Sequence, residues 1–167
     1  MGYNVVANTE DYANVEFIIE HIKSREKCAQ MLRNIPQEIS ILSKAFQKIK
    51  RAIKDVFPEV CRKELVIYLF DRAEGKRLHC NGMCISINGY HCAIGINEAI
   101  LLYEERLIYS LLHEIVHLRF PEHTGRFYGT LDVLVCIYNR ATGEHIEDKW
   151  ENREQRMEEW KNGSKKK

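Results

Sequence analysis

Apolar residues along the chain fall into helical and strand-like periods, and the densest helical period runs through Leu107, Ile108, Leu111, Leu112, Ile115 and Val116. This spacing predicts one buried helix from Glu104 to about Arg119. Toward the N-terminus, Val15, Ile18, Ile19 and Ile22 lie on one side of a helical pattern from about Thr9 to Arg33, with Thr9 as its N-cap. Asn34 and Pro36 then read as a stop and a restart. A second helix to about Phe57 carries Leu42, Phe46, Ile49, Ile53 and Val56 on one stripe. After Pro58 the period shortens: ELVIYLF, 64–70, is a β-branched and aromatic run that predicts a strand. The charged loop DRAEGKR follows, and then CISI and YHCAIGI flank Asn88 and Gly89, the strongest short-range signal for a hairpin. Helical spacing returns at Phe127, Leu131, Leu134, Val135 and Tyr138, giving a helix over Gly125 to Tyr138 that packs on the 104–119 helix. Ala141, Thr142 and Gly143 break it. The charged remainder predicts a helix to about Lys161, with Trp150, Met157 and Trp160 as its large apolar contacts and GSKKK frayed at the end.

The expected class is therefore α+β, with N-terminal helices, a small antiparallel sheet whose hairpin packs on the central helix, and C-terminal helices. One compact domain with appendages is expected: a helical segment 1–60, a core 61–143, and a charged helix and tail 144–167.

Within the central helix, LLHEIVH places His113, Glu114 and His117 in the order H-E-x-x-H. Residues four apart share a helix face, so the two imidazoles stack one turn apart and reach one metal ion at roughly 2.0–2.1 Å each. Glu114 lies about 100° further round. In this pattern it serves as general base rather than ligand. Pro121 ends the helix, and His123, six residues after His117, returns from the turn as third ligand. A fold that draws its third ligand from a distant carboxylate would use Glu144 or Glu147 instead, and Asp132 is another carboxylate nearby. Three protein ligands leave one tetrahedral position for water, the mark of a catalytic rather than a structural zinc.

The segment from Ile96 to Tyr128 resembles the YgjP-like and WLM zinc metallopeptidases of the zincin superfamily, in the H-E-x-x-H helix, the third histidine and the basic-aromatic run Arg126, Phe127 and Tyr128. The resemblance covers about a fifth of the chain. It implies a zincin-like fold, one Zn2+ held by His113, His117 and His123, and Glu114 as the base that takes a proton from water and returns it to the leaving amine. The chain departs from the metzincin variant, which has glycine where Phe120 stands, and carries no Met-turn motif. The expected activity is hydrolysis of peptide bonds, with protein or peptide as substrate. Hydrolysis of a nucleotide-like substrate, or a latent zinc-binding regulatory module, are the alternatives. Zincins align extended peptides on a strand beside the active-site helix, and here the Cys84 to Ile96 hairpin would supply that edge unless it is covered. Tyr90, Tyr128, Tyr138 and His145 are candidates for steadying an oxyanion.

Composition changes this picture little. At 167 residues, 45% hydrophobic and 29% charged, the chain can bury a full core. A net charge of +1 gives no overall pull toward nucleic acid or membrane. The helix face with Lys44, Lys48, Lys50, Arg51 and Lys54 is the one feature that suits nucleic acid, since WLM-type proteases act on DNA-crosslinked proteins; a solvated face is the simpler expectation. The N-terminus lacks a signal pattern and no run approaches a membrane span, so a cytoplasmic location is the default. Six cysteines in that setting are expected as thiols. Cys80, Cys84 and Cys92, interleaved with His79 and His91, lack the second pair that a structural zinc site requires.

Overall fold

The computed structural model describes residues 4–7, 36–62, 65–70, 81–87, 91–149 and 151–165. The helix expected over 9–33, the loop 71–77, the turn at Asn88 and Gly89, and Tyr90 lie outside them. In chain order the elements are β1 (Asn4–Ala7), α1 (Pro36–Ile53), a 3-10 turn (Pro58–Cys61), β2 (Leu65–Phe70), β3 (Gly82–Ile87), β4 (His91–Asn97), a second 3-10 turn (Glu98–Ile100), α2 (Glu104–Val116), α3 (Gly125–Thr142) and α4 (Arg153–Lys165). The class is mixed α+β, as the periods indicate.

The sheet order is β1-β2-β4-β3. β3 and β4 form the expected antiparallel pair, with Ile87 opposite His91 and Gly82 opposite Ile96. β2, however, runs parallel to β4, so the sheet is mixed and not antiparallel throughout. β4 is the reason: every residue from Cys92 to Asn97 is buried, the signature of a central strand covered on both faces rather than of a hairpin arm with one wet side. Among the described residues β3 pairs on one side only.

The register divides the sheet into two faces. Leu65, Ile67 and Leu69 of β2 stand opposite Cys92, Ile94 and Ile96 of β4, and all six belong to the core shared with the helices. On the other face Tyr68 pairs with Gly95. A Cβ on Gly95 would lie 2.5 Å from the Tyr68 ring, so the absence of a side chain there is what lets the ring lie flat on the sheet. Gly95→Ala is expected to destabilise the fold by about 1–3 kcal/mol through overpacking. Denaturant midpoints of Gly95→Ala, Tyr68→Leu and the double variant check this, with the double variant costing less than the two changes summed.

α2 is the spine of the fold. All its residues from Leu107 to Val116 are buried, between the sheet on one side and α1 and α3 on the other. Its helical geometry ends at Val116 rather than near Arg119, and His117 takes the C-cap with φ −62° and ψ −18°. The next residues tighten into a turn, Leu118 N–H bonding to Ile115 O and Arg119 N–H to Val116 O, because Pro121 admits no continuation. α1 also ends early, at Ile53. Its stripe therefore finishes on fully buried Phe57, and Val56 points outward at 49% exposure instead of into the core.

Candidate metal centre

Two consecutive turns of α2 carry His113 and His117 on one face, and the turn around Pro121 brings His123 back over them. Their ligand nitrogens all lie within 4.8 Å of one another, the only such convergence of histidine, cysteine or carboxylate side chains among the described residues. His113 Nε2 and His123 Nε2 are 3.1 Å apart. Two ligands of one tetrahedral ion at 2.0–2.1 Å stand about 3.3 Å from each other, so the spacing suits a shared cation.

The groups behind the rings fix which nitrogens face inward. His117 Nδ1 lies 3.0 Å from Phe120 O, which can only accept, so Nδ1 carries the proton and Nε2 keeps its lone pair. His113 Nδ1 lies 3.0 Å from Glu151 Oε2. Burial works against the Glu151 charge, but the hydrogen bond from His113, the Tyr128 hydroxyl and the nearby Arg156 hold its pKa down to about 2. It is therefore an acceptor as well, and His113 Nε2 is likewise freed toward the centre. Burial, with the neighbouring imidazoles adding to it, lowers His117 and His123 to about 4, so both are neutral and able to coordinate.

Phe127, fully buried in the first turn of α3, packs against all three rings at centroid distances of 4.8, 4.5 and 5.1 Å. Tyr128 stacks on His123 at 6.0 Å and 22°. Thr124 caps α3 by accepting from Phe127 N–H, which sets the height of this apolar floor. The basic-aromatic run thus has a positional use. Phe127 holds the rings, and Tyr128 donates to Glu151 at 2.6 Å.

Glu114 sits beside the triad, its Oε1 3.9 Å from His117 Nε2. Burial raises its pKa to about 7, with the Glu151 charge pushing the same way and His113 and Arg156 opposing. Strand β3 reaches it closely: a Cβ on Gly82 would stand 3.0 Å from Glu114 Cγ and 3.2 Å from Gly95 O. Any side chain at position 82 would crowd the carboxylate, which would have to give way by a few tenths of an ångström.

The other carboxylates weighed as third ligand are engaged elsewhere. Glu144 accepts from Tyr138 at 2.6 Å and pairs with Lys48, and Asp132 pairs with Arg153 at 2.7 Å. Glu147 is exposed, with its N–H on Glu105. The hydroxyls of Tyr128 and Tyr138 are committed to Glu151 and Glu144, and His145 is exposed. Among the described residues no cysteine joins the triad: Cys84 and Cys92 are free thiols on the helix-facing side of β3 and β4, while Cys28, Cys80 and His79 lie outside the described residues. Burial pushes the Cys84 thiol up, with the Glu114 charge adding to it.

Glu151 is the site residue that the sequence conceals. It lies 38 positions from His113, in an irregular stretch between α3 and α4, accepts hydrogen bonds from Tyr109 and Tyr128, and pairs with Arg156 of α4 at 3.6 Å. That stretch is tied down in turn. Arg153 binds Asp148 at 2.6 Å and stacks on Tyr128 at 4.8 Å, and Trp160 of α4 donates to Glu122 in the loop before His123.

Compared with known proteins, the chain matches no family model, no curated protein and no solved structure. Among the described residues no helix is long and apolar enough to cross a membrane. On the basic face of α1, Lys48 is taken up by Glu104 and Glu144.

Proposed function

We propose that this chain is a zinc-dependent metallopeptidase, with His113, His117 and His123 as ligands and Glu114 as general base. The observation that carries the reading is the convergence of three imidazoles with a buried carboxylate 3.9 Å from one of them. A structural site needs no such neighbour, because its four positions are filled by ligands. Zinc, when bound there, supplies Lewis acidity toward a carbonyl oxygen and makes water acidic enough to lose a proton near neutral pH.

The chain's own residues perform the rest. Glu114, poised near neutrality by burial, takes the proton from the attacking water and passes it to the leaving amine. Glu151 orients His113, and Phe120 O orients His117, so that the centre keeps its geometry while the substrate moves. Among the described residues the outer edge of β3 is unpaired, so its backbone groups suit an extended peptide, and Gly82 brings that edge against Glu114. This edge favours a peptide over a nucleotide-like substrate. Phosphate would call for several basic groups, and of the described residues lining the cleft beside Glu114 only Arg62 is a cation.

The test is incubation of the zinc-loaded protein with an unstructured peptide mixture, read by mass spectrometry. Cleavage products that appear with the wild type and not with Glu114→Gln support the reading. An absence of products from the zinc-loaded wild type contradicts it and leaves the regulatory alternative.

A further inference from the structure

The cleft beside Glu114 and His117 has a volume of about 360 Å³ and is walled by Cys84 of β3, Cys92 of β4, Leu118 and Arg62. Apart from Glu114 and His117 themselves, the two thiols, Leu118 and Pro121 form most of this wall. Arg62 is the exception, and it enters at the junction between the first 3-10 turn and β2. Among the described residues its Nη1 donates only to Cys92 Sγ, at 3.7 Å, a weak acceptor. Glu59, the carboxylate that feels its charge, holds Arg119 with both oxygens, at 2.5 and 2.8 Å. Among the described residues Arg62 has no carboxylate within ion-pair distance, and it makes no ion pair with Glu114 although both line the same cleft. Among the described residues this half-buried guanidinium has donors without a carboxylate partner, a fork suited to a carboxylate.

The strand register indicates what would reach it. Gly82 and Cys84 lie on the helix-facing side of β3, opposite Ile96 and Ile94. A peptide lying along the edge of β3 projects alternate side chains to that same side. One of them lands over the cleft, next to the bond that Glu114 and the metal address.

We propose that the cleft between Arg62 and Glu114 is a carboxylate-selecting subsite, so that preferred substrates carry an acidic side chain or a free chain terminus next to the scissile bond. This rests on the peptidase reading above. It assigns Arg62 to specificity, with no part in the chemical step.

The experiment uses the zinc-loaded full chain and hydroxamate-capped dipeptides, whose hydroxamate anchors on the metal and which need no turnover. Three ligands share one backbone: glutamate with an amidated terminus, glutamine with an amidated terminus, and glutamine with a free terminus. The expected result is that one of the two acidic ligands binds about 10- to 100-fold more tightly than the neutral one, the scale of a charged hydrogen bond. Whichever ligand shows the gain identifies side chain or terminus as the source of the carboxylate. Arg62→Gln should erase the gain while leaving the neutral ligand's Kd unchanged, which also certifies the fold. Equal binding of all three ligands, or an acidic preference that survives Arg62→Gln, overturns the subsite alone. Failure of every hydroxamate to bind the zinc-loaded protein overturns the metal centre and the subsite with it.

Discussion

Glu114→Gln is expected to remain folded and to bind metal as the wild type does, while hydrolysis falls by about 10²- to 10⁴-fold, the range for removing a positioned general base. Glutamine is the right replacement because Glu114 is buried, and an amide of the same shape keeps its packing. The amide keeps the shape and loses only the ability to take a proton. Stability separates this outcome from simple damage. Burial raises the Glu114 pKa to about 7, above the ordinary carboxylate range, so the metal-free folded protein holds this proton more tightly than the unfolded chain does. The carboxyl therefore costs stability as pH rises from the unfolded value through 7, and the amide does not. Metal-free Glu114→Gln should melt no lower than the wild type at pH 8. A variant that melts well below the wild type, or that retains hydrolysis, removes Glu114 from the role assigned to it.

The second large effect is expected at Glu151, which touches no substrate. Glu151→Gln should weaken zinc binding by about 10- to 100-fold, the usual consequence of disturbing the acceptor behind a ligating histidine. An amide can present its NH2 to His113 Nδ1 as readily as its oxygen, so the ring loses its obligatory acceptor and with it the fixed tautomer. Tyr109→Phe and Tyr128→Phe remove one donor each from the same carboxylate, at 3.1 and 2.6 Å, and leave the acceptor in place. They should cost less. Competition with a chromophoric chelator gives all three Kd values, and unchanged zinc affinity in Glu151→Gln would reduce this contact to packing.

What the chain discloses in advance is governed by distance along it. His113, Glu114 and His117 are legible because one helical turn fixes their relation, and His123 because the proline between leaves the chain few ways to turn. The β3–β4 pair is legible because its turn residues are local. Glu151 has no such signal. It lies in an aperiodic stretch, and only the docking of the segment before α4 on Tyr109 and Tyr128 brings it beneath His113. The parallel pairing of β2 with β4 is hidden for a related reason. A pattern of apolar residues gives a strand's faces, and the neighbour on each edge is chosen by packing across the sheet. Val56 shows the same competition at short range. The helical stripe includes it, but α1 stops at Ile53 ahead of Pro58, and Phe57 fills the core in its place. The resemblance to zinc metallopeptidases, resting on Ile96 to Tyr128, speaks to the centre and leaves the arrangement around it to be learned from the structure.

Whether His113, His117 and His123 hold one metal ion together is measured by metal content, read by mass spectrometry on the purified wild type and His123→Ala after zinc-replete preparation. One zinc per wild-type chain and strong loss from His123→Ala are expected, because two histidines on one helix face leave the ion with half its coordination open. No metal in the wild type, or full retention in His123→Ala, would contradict the three-histidine site.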